Sequence, residues 1–381
     1  MAVRRRERST LGRGEMFWGY LFIAAPLLGF VIFAAMPLVG SLFVSLTEWN
    51  LVTEPEFIGL ENWSEALSLT TVYLEPEIDA ETGEQIYRCG RENVIESRIG
   101  EFAGQVDVRG NPITCAARTV RASDVLPSGY QTWFDINLFG RQYVVGARDP
   151  IFWISLFNTA FLLLGVPISM ALALLVAIVL NQKLAGSRLF RTIYYIPTIL
   201  PIAALALIWM WIFNPDYGLL NYFFRSLGLI ELGTTNWLQN AATVKPALII
   251  MGVWRGMGYQ MIIYLAGLQG VSRTLYEAAE IDGAGWWHKF RYVTWPGLTP
   301  TTFFLLITGL IGAFQTFIEP DIMTDGGPYF ASTTTVMLIW QNGFRDLQMG
   351  YAATQAWILG AIIMALTILN FVLARRWVFY D

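Results

Sequence analysis

The chain has one histidine, His288, and two cysteines, Cys89 and Cys115, in 381 residues. Charge is scarce as well: Asp, Glu, Lys and Arg make up 14% of the residues, against roughly 25% in an average soluble domain. A single histidine far from both cysteines in sequence argues against a zinc cluster. No charged pair falls inside any apolar stretch. A membrane enzyme would need paired carboxylates, a metal or a nucleophile–base pair there, and an ion-driven carrier would favour intramembrane acids. No sustained basic run with interleaved aromatics occurs, which removes the case for nucleic-acid binding. No Gly-x-x-x-x-Gly-Lys-Ser/Thr loop is present, so the chain itself is not expected to bind ATP.

What the chain has in excess is apolar length. It is 55% hydrophobic, with a mean hydropathy of +0.48. A spanning helix needs about 20 mostly apolar residues. Six segments qualify, at about 17–46, 151–180, 193–213, 247–270, 298–318 and 350–374. The expectation is an all-α polytopic protein with six transmembrane helices. Arg4, Arg5, Arg6 and Arg8 precede the first segment in the manner of a signal peptide. The apolar stretch from Met16 to Leu46 far exceeds a signal core of roughly 7–15 residues, so it reads as a retained span after a short N-terminal segment, 1–16. Lys183, Arg188, Arg191, Arg273, Lys289, Arg291, Arg375 and Arg376 fall on the same side as that N-terminus. By the positive-inside rule that side is the cytoplasm, and both termini lie there.

Residues 47–149 then lie outside. A structureless loop of this length is improbable, and about 68–148 reads as a small extracytoplasmic domain. Alternating runs at Gln105–Arg109 and Gln142–Val145 hint at strands. Both cysteines fall in this domain, in an oxidising compartment, which favours a Cys89–Cys115 disulfide worth roughly 3 kcal/mol. Arg255 is the one charge well inside a span, near its outer end. It could meet solute hydroxyls, or pair with carbonyls or with an acid on a partner subunit. Prolines at 26, 37, 167, 197 and 201 interrupt several spans, and packing kinks suffice to explain them.

The cytoplasmic loop 271–296 is the most informative segment. Thr274 and Glu277 have capping-box spacing, Glu277 and Glu280 suit the start of a helix, and Gly283 and Gly285 suit its end. A second short segment covers Trp286 to Val293, and Pro296 is expected to open the fifth span. Small Ala278 and Ala279 would let a partner surface approach the backbone. A connector lying on the membrane surface fits these features equally well.

The pattern Glu277-Ala278-Ala279, Gly283, then Val293-Thr294-Trp295-Pro296 resembles the EAA loop of binding-protein-dependent ABC importer permeases. Val and Trp stand where that loop has Ile and Leu. Asp149-Pro150, Tyr195-Ile-Pro-Thr-Ile-Leu-Pro201, Asn214-Pro-Asp-Tyr-Gly-Leu-Leu-Asn221, Ile281-Asp282-Gly283-Ala284 and Asp325-Gly-Gly-Pro328 resemble the carbohydrate-uptake branch, the relatives of the maltose and glycerol-phosphate permeases. The resemblance covers nearly everything except about 68–148, which makes that stretch an insertion. It implies a permease subunit in the bacterial inner membrane, importing a sugar or sugar-like solute by alternating access. The implied partners are two ATPase subunits, which hold ATP and Mg, a second related permease, and an extracytoplasmic solute-binding protein. Glu277, Ala278, Ala279, Asp282, Gly283 and Pro296 would belong to the ATPase-coupling loop. The insertion would meet the binding protein. A non-sugar solute of the same superfamily is the alternative, and an ion-driven secondary transporter a more distant one.

Overall fold

The computed structural model describes residues 13–106, 112–138, 141–182 and 185–379. Arg4, Arg5, Arg6, Arg8 and Lys183 lie outside those residues, as does most of the Gln105–Arg109 run. The main helices are α1 (Met16–Val44), α2 (Glu61–Leu67), α3 (Pro150–Asn181), α4 (Ser187–Ile199), α5 (Ile202–Ile212), α6 (Leu219–Ser226), α7 (Val244–Gly270), α8 (Arg273–Ile281), α9 (Trp286–Phe314), α10 (Ile318–Thr324), α11 (Thr335–Trp340) and α12 (Met349–Ala374). Among the described residues α1, α3, α7, α9 and α12 are long and apolar enough to cross a membrane.

The third expected span differs from a straight helix over 193–213. It is the pair α4 and α5, bent by 101°. Pro201 has no N–H to donate, and its ring disfavours helical geometry at Leu200, which is extended at ψ 142°. The membrane helices therefore number five, or six if this bent pair is one span. The fifth span also differs. Its helix starts at Trp286, ten residues before Pro296, and stops at Phe314 rather than at 318. Pro296 does not open it. A π-helical turn, Phe290–Thr294, widens the helix where the proline ring would crowd the Tyr292 carbonyl. The first span uses the same device, with a π turn at Val31–Ala35 ahead of Pro37.

The core is built around α7. One buried cluster joins Met170, Ala173, Leu174 and Ala177 of α3 to Met261, Tyr264 and Leu265 of α7 and to Leu298 and Leu305 of α9. A second joins Leu205 and Trp209 of α5 to Leu248 and Met251 of α7. By contrast, no residue in the apolar window of α1 is buried.

Residues 69–147 contain two three-stranded antiparallel sheets. One has the order β1 (Leu69–Tyr73), β6 (Arg141–Ala147), β5 (Gln131–Leu138); the other has β3 (Glu92–Ile95), β2 (Ile86–Cys89), β4 (Cys115–Ala117). The Gln142–Val145 run falls inside β6. Leu69 pairs with Ala147, so the strand that enters the unit and the strand that leaves it run side by side. Cys89 and Cys115 face each other in register, Cα atoms 4.1 Å apart, and are joined by a disulfide.

Where α1 ends, three segments meet. The Asn62 amide of α2 donates to the carbonyls of Ser45 (3.1 Å) and Thr47 (3.0 Å). The Thr354 hydroxyl of α12 donates to the Ser45 carbonyl at 3.0 Å. Gly350 lies against the Thr47 carbonyl so closely that a Cβ would collide with it, whereas a Cβ at Gly360 meets nothing within 4 Å. Gly350→Val should therefore destabilise the protein by about 1–3 kcal/mol and lower its thermal midpoint in detergent. Gly360→Val should leave that midpoint unchanged.

Candidate functional site

The motifs flanking the helices act as pins. Asp149 accepts from the Phe152 N–H at 2.9 Å, capping α3. Its other oxygen accepts from the Tyr351 hydroxyl of α12 at 2.6 Å. Asn221 of α6 donates to the carbonyls of Pro215 and Thr235 and accepts from the Trp237 indole at 2.6 Å.

A cavity of about 660 Å³ lies among α3, α7, α9 and α10. Gly252 and Gly312 help keep it open, since nothing lies within 4 Å of where their Cβ atoms would be. Its walls are mostly apolar, with Ser169, Arg255, Gln260, Gln315, Thr316 and Glu319 as the polar groups. The Ser169 hydroxyl donates to the Gln260 side-chain oxygen at 2.8 Å. Arg255 Nη1 stands 3.7 Å from Glu319 Oε1. The Arg255 Nε is buried and has no hydrogen-bond partner.

The acid beside Arg255 is thus on its own chain. This corrects the expectation that an acid pairing with Arg255 would belong to a partner subunit. Glu319 lies one residue beyond the expected end of the fifth span, at 318, and α10 carries it back against α7. The sequence holds a signal for it: Glu319 precedes Pro320 at the edge of an apolar run. Ser169 and Gln260 give a weaker signal, a single hydroxyl and a single amide in otherwise apolar segments.

On another part of the molecule α8 stands free. None of its residues is buried. Two contacts hold it to the helix that follows: Tyr276 Oη to Thr294 Oγ1 at 2.9 Å, and Lys289 Nζ donating to Glu280 Oε1 at 2.7 Å. Leu275 and Ile281 are 50% and 87% exposed. Glu277 pairs with Arg273 one turn away at 3.2 Å, rather than with Thr274. The expected capping box is absent: Ser272 is the N-cap, makes no side-chain cap bond, and shares a hydrogen bond with the Thr274 hydroxyl at 2.7 Å. Ala278 is exposed and Ala279 half-buried, Asp282 is the C-cap, and Gly283 turns the chain at φ +74°. Pro296 sits apart from them inside α9, its carbonyl accepting from Thr299.

Residues 151–378 match the family described as the binding-protein-dependent transport system inner membrane component. The chain belongs to that family. It is similar to the sn-glycerol-3-phosphate transport system permease protein UgpA of Yersinia enterocolitica, 32% identical over 270 residues covering 67% of this chain and 90% of that protein. It is also similar to the lactose transport system permease protein LacF of Rhizobium radiobacter, 37% identical over 234 residues covering 60% of this chain and 78% of that protein. Its fold is similar to that of a crystal structure of a bacterial ABC transporter involved in the import of the acidic polysaccharide alginate. That likeness has a TM-score of 0.54 at 22% identity and covers 60% of this chain and 80% of that one. The family is one of transport components, so the chain is the permease subunit of an ABC importer, a protein of the inner membrane.

In this permease the Lys289 hydrogen bond, and then its charge, hold the Glu280 carboxyl below the usual range. A carboxyl depressed in the folded state contributes stability above its unfolded pKa of about 4.3 and loses it as pH falls through the lower folded value. Fluorescence of Trp286 and Trp287, which lie between the two residues in sequence, should therefore show an acid transition as pH falls below the ordinary glutamate range. Glu280→Gln should abolish that transition.

Proposed function

We propose that this permease subunit translocates a sugar or sugar-like solute and is driven through α8 by ATPase subunits on the cytoplasmic side. The observation that carries the coupling role is the exposure of α8. It presents Leu275, Ile281 and the small Ala278 on a helix that, among the described residues, no other part of the chain covers, the form a helix takes when it lies in a partner's groove. The sugar class is supported by UgpA and LacF, whose names give a phosphorylated polyol and a disaccharide. ATP and Mg then belong to the two ATPase subunits, and a second related permease forms the path together with this one.

With both termini in the cytoplasm, the unit at 68–148 stands outside. Its adjacent first and last strands, Leu69 beside Ala147, suit a domain inserted into one loop. We assign it the docking of the solute-binding protein. Moving a gate from 1:99 to 99:1 takes about 5.5 kcal/mol of differential stabilisation, so α8 must be held firmly by its ATPase. Glu277 and Asp282 are its exposed acids toward that subunit, and Gly283 sets its exit by a backbone conformation that other residues adopt with strain. A non-sugar solute is the second reading of the same machinery.

Purification from native membranes in mild detergent, followed by mass spectrometry, should recover an ATPase, a second permease and a binding protein whose ligand is a sugar. Recovery of this chain alone, abundant and intact, would refute the assembly. In that complex Glu277→Lys and Gly283→Trp should insert normally yet cut solute uptake at least about tenfold, the loss of roughly 1.4 kcal/mol of coupling. Uptake at the wild-type rate would remove α8 from the coupling role.

A further inference from the structure

We infer that Arg255 and Glu319 together form a station in the cavity for neighbouring hydroxyl groups of an uncharged sugar. The inference rests on the sugar-permease reading and narrows it to a substrate class. Among the described residues the two are the only charged ones lining the cavity, so its walls there carry one positive and one negative charge. Their closest approach, 3.7 Å, is longer than a hydrogen bond. Neither group therefore completes the other. Guanidinium groups only donate and carboxylates only accept. A hydroxyl does both, so one hydroxyl accepting from Arg255 and donating to Glu319, or two on adjacent carbons, satisfies the pair.

An anionic group gains less here. A carboxylate or phosphate entering the cavity meets Arg255 but is repelled by Glu319, which already balances that charge. Ser169, Gln260, Gln315 and Thr316 add further neutral donors and acceptors, and Leu162, Val253 and Val336 offer apolar wall to the C–H faces of a sugar ring. LacF is named for a neutral disaccharide and UgpA for a phosphorylated polyol. The charge balance places the solute of this chain with the neutral class.

The test uses the position where the cavity is open. Gly252 lines it, with no atom within 4 Å of its Cβ position. Cys89 and Cys115 are joined, so Gly252→Cys introduces the one free thiol of this chain. In the intact importer, with any thiols of the other subunits blocked or replaced, its modification is timed with three methanethiosulfonates, one glucosyl, one sulfonate and one ammonium. Each rate is divided by the reagent's rate with free glutathione. The glucosyl reagent should lead the sulfonate by about tenfold, the worth of one hydrogen bond to a charged group. Glu319→Gln should remove that lead by speeding the sulfonate, and Arg255→Gln should slow the glucosyl reagent. The exchange Arg255→Glu with Glu319→Arg should restore the lead.

A sulfonate that leads in the wild-type background would overturn the neutral class while leaving the sugar importer intact, as the carrier of an acidic sugar. Relative rates unchanged across the variants would show that the pair does not sense solute and would overturn the station. Failure of all three reagents to reach position 252 would also overturn it, because the cavity would then not lie on the path. Neither of these outcomes touches the assembly and uptake measurements on which the permease reading stands.

Discussion

Close approach of helix backbones at small residues is the contact on which this fold depends. In lipid, helices gain nothing by hiding apolar side chains from one another, because the surroundings are equally apolar. They gain by packing and by hydrogen bonds at short range. The helix Val244–Gly270 shows how. Gly258 sits under the Tyr194 carbonyl, where any side chain would collide. Gly256 meets Ser169, Gly267 meets Thr301 and Leu298, and Gly165 of the neighbouring helix meets Ile249. Three neighbours are thereby drawn against one column.

The same packing leaves space in one place only partly filled. Gly252 and Gly312 face the cavity instead of a neighbour, and the polar side chains gather there. Small residues thus serve two ends on one helix: at 258 they admit a backbone and at 267 a neighbour's side chains, and at 252 they admit a solute-sized volume. The Thr198 hydroxyl, donating to the Arg255 carbonyl at 3.2 Å, ties the bent helix pair to the turn that carries the cavity's cation.

Much of this was readable beforehand. Apolar length located the long apolar helices, because a membrane demands it, and the ends of the last one, Met349–Ala374, fell within a residue of expectation. The cysteine pairing was expected from the compartment that the charge asymmetry suggested, and Cys89 and Cys115 are joined. The loop motif located the free-standing helix, although its cap was misplaced: Ser272 and Thr274 are both hydroxyl residues, and only the backbone decides which is non-helical. Hydropathy could not show that Pro201 bends its span whereas Pro296 is absorbed, since both lie in apolar runs and the outcome depends on neighbours and on a π turn. Nor could it show Glu319. An acid just past a span reads as solvent-facing until α10 is seen to fold it back on Arg255.

The exposed first helix has a consequence for biogenesis. Beside the early contacts from Asn62, two of its fastenings are late ones: Ser41 accepts from the Trp357 indole at 3.2 Å and the Ser45 carbonyl from Thr354. These partners are separated by 309 and 316 residues of chain. The helix α1 is therefore made long before α12, and until α12 arrives the contacts from Asn62 and Trp63 hold its end. It can wait because none of its apolar window is buried against the other described helices. The seam between α1 and α12 closes only when the helices between them have been made.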